Sequence, residues 1–198
     1  MKGSKKILEF TITLRDVEPK VWRRIQVPSQ YSFWDFHVAI QDSMGWTDSH
    51  LHMFRVKNPE TGKIDEIGIP NDDAWGEPCL AGWDVPIAKH FIKKGAKAKY
   101  EYDFGDDWQH VIVLDAIKDR PVGMKLPACL AGEQACPPED CGGAHGYHEM
   151  LRTVSDPSDE QYEETLEWLG PNYNPDWFDP REVRFTSPRA RLKYVMRG

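Results

Sequence analysis

Three histidines and a run of carboxylates are the residues whose types and spacing first suggest chemistry. His50 and His52 stand two apart. On a strand such side chains point the same way, a workable pair of ligands for a catalytic metal ion. Asp48 precedes them by two, and Asp106 and Asp107 stand just ahead of Trp108 and His110, which share a face of their own strand. If the two strands are neighbours, His50, His52 and His110 with Asp106 or Asp107 make a cluster suited to metal-dependent hydrolysis. The same residues would equally serve as surface or hydrogen-bonded core histidines.

A second group lies in the stretch from Cys129 to Gly143, where Cys129, Cys136 and Cys141 bring three of the four cysteines into one run. Three thiolates within reach of one ion suit zinc, which takes sulfur and imidazole ligands in tetrahedral sets. The spacing has no Cys-x2-Cys knuckle. The fourth ligand of a structural zinc site would come from His110, His145, His148 or Cys79, with His110 the candidate on the neighbouring hairpin. Without metal, Pro137-Pro138 and Gly142-Gly143 shape a rigid loop in which the thiols are small buried apolar groups. A disulfide between two of them is a further option.

Trp22-Arg23-Arg24 joins guanidinium groups to an aromatic ring and could grip phosphate or stack on a base; a strand with arginines turned to water reads the same. No serine or cysteine sits in a Gly-x-Ser-x-Gly elbow, and no glycine-rich phosphate loop of standard type is present.

The elements that must position these groups follow from periodicity. Leu8, Phe10, Ile12 and Leu14 alternate with polar residues, and Val21 to Val27 follows as a second strand stopped by Pro28. Ser32, three residues before Asp35, caps a helix whose stripe is Phe33, Phe36, Ile40 and Met44, with Gly45 as its stop. Leu51 to Val56 and Ile64 to Ile69 are further strands, and the chain from Pro70 to Pro86, around Trp75 and Trp83, is a long loop. A short helix through Ile87, Phe91 and Ile92 leads to a hairpin bearing Tyr100, Tyr102 and Phe104, turned at Gly105-Asp106-Asp107 and returning through Trp108 to Ile117. Beyond the cysteines, Tyr147, Met150, Leu151 and Val154 mark an amphipathic helix, and Ser158 with Gln161 forms a capping-box pattern for another that carries Tyr162, Leu166 and Leu169. From Asp156 to Glu182 there are nine carboxylates and one arginine, whereas Arg184 to Arg197 is basic, so an acidic helix followed by a surface tail that pairs with it is expected.

At 198 residues the chain can bury a core without covalent staples. Its net charge of -7 argues against coating nucleic acid by positive field. No apolar run approaches membrane-spanning length, and Met1 to Lys6 leads directly into a strand, so a soluble, cytoplasmic protein with no membrane association is expected.

Four stretches, Val21 to Ile25, Met44 to Phe54, Tyr102 to His110, and Cys129 to Gly143 followed by Gly146 and Tyr147, together resemble the plasmid pRiA4b ORF-3-like family. The resemblance spans roughly Ile7 to Val183 and implies an α+β domain of bacteria and archaea, in some cases carried on mobile elements, with no established biochemical role. A resolvase label attached to some members finds no support in these residues, because the early serine, Ser4, lies in a lysine run without catalytic arginines.

The expectation is an α+β protein. A mainly antiparallel, β-grasp-like sheet with one packed helix occupies residues 1–128, and the cysteine loop with a helical C-terminal lobe occupies 129–198, the two forming one compact unit. The leading reading is a non-catalytic binding or accessory protein with a protein or nucleic-acid partner, because the motif residues are mostly aromatic, glycine, proline and cysteine. The alternatives are the metal-dependent hydrolase and a nucleic-acid accessory protein gripping phosphates through Arg23, Arg24 and the basic tail.

Overall fold

The structure, a computed structural model, describes residues 6–70 and 79–196. Eight strands form one sheet: β1 (Lys6–Leu14), β2 (Trp22–Pro28), β3 (His52–Lys57), β4 (Ile64–Gly68), β5 (Leu80–Ala81), β6 (Lys97–Tyr102), β7 (Trp108–Asp119) and β8 (Ala128–Glu133). Their order across the sheet is β5-β4-β3-β6-β7-β1-β2-β8, and every pairing is antiparallel except β4 with β5. Four helices accompany it: α1 (Phe33–Met44), α2 (Gly143–Ser155), α3 (Tyr162–Leu169) and α4 (Pro188–Val195). The chain is therefore α+β, with β1, β2, α1, β3 and β4 in the expected succession. The β6–β7 hairpin enters between β3 and β1, so the two earlier hairpins are not paired with each other in the sheet.

Alternation puts Leu8, Phe10, Ile12 and Leu14 of β1 on the buried face, where α1 lies across them. Ser32 accepts from the Asp35 amide while Asp35 accepts from the Ser32 amide, a capping box that fixes where α1 begins. Phe10, Phe33, Phe36, Phe54 and Phe91 form the aromatic centre of the core, with the Phe10 and Phe36 rings 4.5 Å apart. Full burial of each such ring contributes on the order of 2–3 kcal/mol.

Several elements depart from the sequence expectation. The cysteine stretch opens as β8, since Ala128 to Glu133 holds no proline and its backbone pairs with β2; irregular chain begins only after it. Only a 3-10 turn, Ile87–Lys89, forms where a short helix was expected. Ser158 does not cap α3: its amide and hydroxyl both bind the Asp156 carboxylate, and Gln161 precedes the helix with no side-chain cap. The basic tail is not merely surface chain. Ser187 caps α4 with Pro188 at its first turn, and this helix covers the outer side of α1, where Trp34 Nε1 donates to Pro188 O (2.9 Å). Residues 71–78, the middle of the long loop containing Trp75, lie outside the described residues.

Candidate metal centre at the motif junction

The turn after α1, the turn between β6 and β7, and the loop after β8 meet at one corner of the sheet. Glu139 joins them. Its carboxylate accepts from the Thr47 amide (3.0 Å), the Thr47 hydroxyl (2.5 Å) and the Tyr102 hydroxyl (2.5 Å), and the Tyr102 oxygen in turn accepts from the Ser49 amide (3.0 Å). Burial and the Glu139 carboxylate push the Tyr102 phenol well above its ordinary value. Trp46 stacks on Tyr102, ring centres 4.9 Å apart, and its indole N–H donates to Pro137 O (2.9 Å). The diglycine is needed at the same corner: a Cβ on Gly143 would lie 2.3 Å from Asp106 O, and the Gly142 amide donates to Asp106 Oδ2 (3.2 Å).

Within this corner His50 Nε2 stands 3.1 Å from Asp140 Oδ1 and 3.5 Å from Asp103 Oδ2. It is shielded from solvent, yet it meets hydrogen-bond geometry with neither carboxylate. Among the described residues these are the three His, Cys, Asp or Glu side chains whose ligand atoms all lie within 4.8 Å of one another. Asp103 is held for the purpose: its Oδ1 accepts from the Gly105 amide (2.9 Å), which leaves Oδ2 turned to His50. Asp103 and Asp140 have φ of 57° and 60°, a left-handed backbone that aspartate tolerates better than most side chains.

The sequence-identified groups are distributed differently from one shared face. His50 lies before β3 begins, so strand alternation does not apply to it. His52 is in the core, stacked on His37 with ring centres 3.5 Å apart and planes 8° from parallel. Neither His52 nitrogen has a hydrogen-bond partner, and burial, with His37 beside it, holds its pKa well below the usual value. His110 is also in the core, its Nδ1 donating to Trp108 O (3.0 Å) and Tyr100 O (3.2 Å), and burial lowers its pKa to about 4. Asp106 binds the Gly142 amide, and Asp107 accepts from Gln109.

The cysteines do not enter the His50 cluster. Cys129 is on β8, and Cys79 adjoins β5 at the opposite edge of the sheet. Cys136 and Cys141 lie in the connecting loop, where burial pushes the Cys141 thiol up to about 12 and the Cys136 thiol higher. All four are free thiols. Of the candidate fourth ligands, His145 is exposed beside Glu149 and His148 accepts from the Glu18 amide (3.2 Å).

The arginine pair also divides. Arg24 is exposed, 3.8 Å from Asp115, while Arg23 is 1% exposed. Sequence inspection missed His37, whose Nε2 donates to Asp48 (2.6 Å); Asp48 then meets Arg191 (3.3 Å), which pairs with Asp42 (2.5 Å). Asp103 and Asp140 were likewise not picked out, although aspartate in glycine-rich and proline-rich turns was an available signal, and Glu139 carried no such signal.

The family model described as plasmid pRiA4b ORF-3-like protein matches residues 6–182. An uncharacterized protein, y4hQ, of Sinorhizobium fredii (strain NBRC 101917 / NGR234) is 39% identical over 165 residues, which is 83% of this chain and 81% of that protein. The crystal structure of a protein of unknown function, MM3350 from Methanosarcina mazei Go1, superposes with a TM-score of 0.83 at 42% identity, covering 91% of this chain and 99% of that one. With a family model matching residues 6–182, this chain belongs to the plasmid pRiA4b ORF-3-like protein family.

Proposed function

We propose that the protein is a binding or accessory module organised around a divalent transition-metal ion held by His50, Asp103 and Asp140. One imidazole and two carboxylates suit zinc or manganese, and three protein ligands leave room for water or a group from a partner. The observation that carries the reading is the solvent-shielded His50 Nε2, facing two carboxylate oxygens without a hydrogen bond to either. An ion bound there would fasten the loop after β8 to the β6–β7 turn, and its open position would accept a group from a partner.

The test is calorimetric titration of the metal-stripped full chain with Zn2+ and with Mn2+. One ion per chain is expected, with affinity unchanged in Cys136→Ser and reduced at least about a hundredfold in His50→Ala and Asp103→Asn, since losing a direct ligand costs more than losing an outer-shell partner. Affinity that survives both first substitutions, or that is lost with Cys136→Ser alone, would show that the ion is held elsewhere.

A further inference from the structure

The strands β3 and β6 carry the metal cluster at one end, with His50 just before β3 and Asp103 just after β6. At their other end, where Lys57 closes β3 and Lys97 opens β6, lies a cavity of about 510 Å3. It is a strand length, roughly 20 Å, from the His50 cluster. Its lining includes Lys57, Lys93 and Lys97, the rings of Pro59 and His90, and Ile92, and it holds no carboxylate among the described residues. The Lys93 carbonyl accepts from the Ala96 amide (3.1 Å), closing a turn whose third residue, Gly95, has φ of 84°, so that Lys93 and Lys97 flank the turn. His90 is fixed from behind: its Nε2 lies 2.8 Å from Asp65 Oδ2, and its ring meets Phe33 edge-on with centres 5.3 Å apart. Nδ1 of this buried ring has no hydrogen-bond partner.

The charge of this wall runs against that of the molecule. Val85 to Tyr100 contains five lysines and no carboxylate, in a chain whose net charge is -7. Among the described residues the lysines that form ion pairs are Lys6, with Asp119, and Lys118, with Glu9, so Lys57, Lys93 and Lys97 have no counter-charge there. Asp65 does not supply it, since its carboxylate is bonded to His90 and to the Asn58 side chain (2.9 Å). Three cations gathered on one concave surface repel one another, and an anion that enters removes the repulsion. Lysine suits the task because its ammonium rides on a flexible four-carbon stem and can follow a phosphate without a preset geometry. Beside the charges, Pro59 and the 55% exposed Ile92 offer apolar surface for an uncharged part of the same ligand. A diphosphate monoester carries about three negative charges near neutral pH, which equals the charge of the three lysines.

We propose that this cavity binds a nucleoside diphosphate, its phosphates held by Lys57, Lys93 and Lys97 and its base lying against Pro59 and Ile92. The site is separate from the His50 cluster and does not depend on metal there. It gives the module a small anionic ligand in a volume typical of ligand pockets, at the opposite end of the two strands that carry the metal cluster.

Titration calorimetry of the full chain tests this with ADP, adenosine and inorganic pyrophosphate, in low-salt buffer containing EDTA so that no ion at His50 can bridge to phosphate. ADP should bind one per chain, pyrophosphate more weakly, and adenosine at least about a hundredfold more weakly than ADP. Lys93→Glu and Lys97→Glu, at exposed side chains tolerant of change, should each weaken ADP about tenfold. Lys20→Glu, in the β1–β2 turn and outside the lining, carries the same change of net charge and should leave the affinity within about twofold. Ile92→Ser should weaken ADP severalfold and leave pyrophosphate unchanged. Absence of ADP binding, adenosine bound as well as ADP, full affinity in the Lys93 and Lys97 variants, or an equal loss in Lys20→Glu would each overturn the assignment. So would pyrophosphate bound as tightly as ADP, an Ile92→Ser variant that holds ADP unchanged, or a single-stranded oligonucleotide bound more tightly than ADP.

Discussion

Acid should destabilise this fold through His110, and the size of the effect follows from its surroundings. Two backbone carbonyls accept from Nδ1, so the proton of the neutral ring is fixed there, and Nε2 faces the core without a partner. Trp46 meets the ring edge-on at 5.4 Å. Protonating Nε2 would bury a cation with no acceptor, hence the fall in pKa from 6.5 to about 4. In the unfolded chain the ring titrates near its ordinary value, so between pH 4 and 6.5 the unfolded state holds more protons than the folded one. Stability is then full above the unfolded value and falls as pH drops. His110 alone should cost about 2 kcal/mol at pH 5 and about 3 kcal/mol at pH 4, relative to pH 7.5. His52, displaced in the same direction, adds to the loss.

Urea unfolding at pH 7.5 and pH 5 measures this. His110→Gln retains an N–H donor but does not titrate, so it should be less stable than the wild type at pH 7.5 and lose about 2 kcal/mol less on acidification. Equal losses in the two proteins would refute the argument, because they would place the acid sensitivity in some other group.

Two further substitutions test the corner that holds the metal cluster. Gly146→Ala would bring a Cβ to 2.0 Å from Cys141 O, a backbone atom that cannot swing aside, so thermal unfolding should show a loss of about 1–3 kcal/mol, and an unchanged midpoint would mean that the loop has slack. Glu139→Gln keeps the shape but sets an N–H2 among the Thr47 and Tyr102 donors; a loss of about 1–2 kcal/mol in urea is expected, shrinking when Tyr102→Phe is present, and a fully additive double variant would show that the two residues are not coupled.

Much of the scaffold was legible because it obeys local rules. The β1 alternation, the Ser32 and Asp35 box and the Gly45 stop are contained within single stretches of chain, and each formed where its pattern indicated. α4 was missed because its residues are all at least partly exposed and show no apolar stripe, although Ser187 and Pro188 did mark its start. The candidate site was legible only in part. His50 and His52 look equivalent in sequence, yet β3 begins at His52, so His52 turns into the core while His50, outside the strand, lies at the corner. Asp103 and Asp140 are 37 positions apart in unrelated turns, and no periodicity links them. Arg23 resembles any strand arginine until β8 and Phe178 enclose it.

The position of the β6–β7 hairpin also bears on how the chain can come together. β1 needs β7 as a neighbour, pairing Leu14 with His110, and β3 needs β6. Closing a loop of roughly 100 residues costs roughly 4 kcal/mol of chain entropy before any pairing returns it. A nascent chain that has emerged only as far as β4 carries two hairpins that cannot pair with each other, each with an unfilled edge, joined only through the Phe33 and Phe36 rings of α1. The hairpin works as a keystone: the first half of the molecule waits for it, and long-range strand pairing of this kind sets a slow pace of folding.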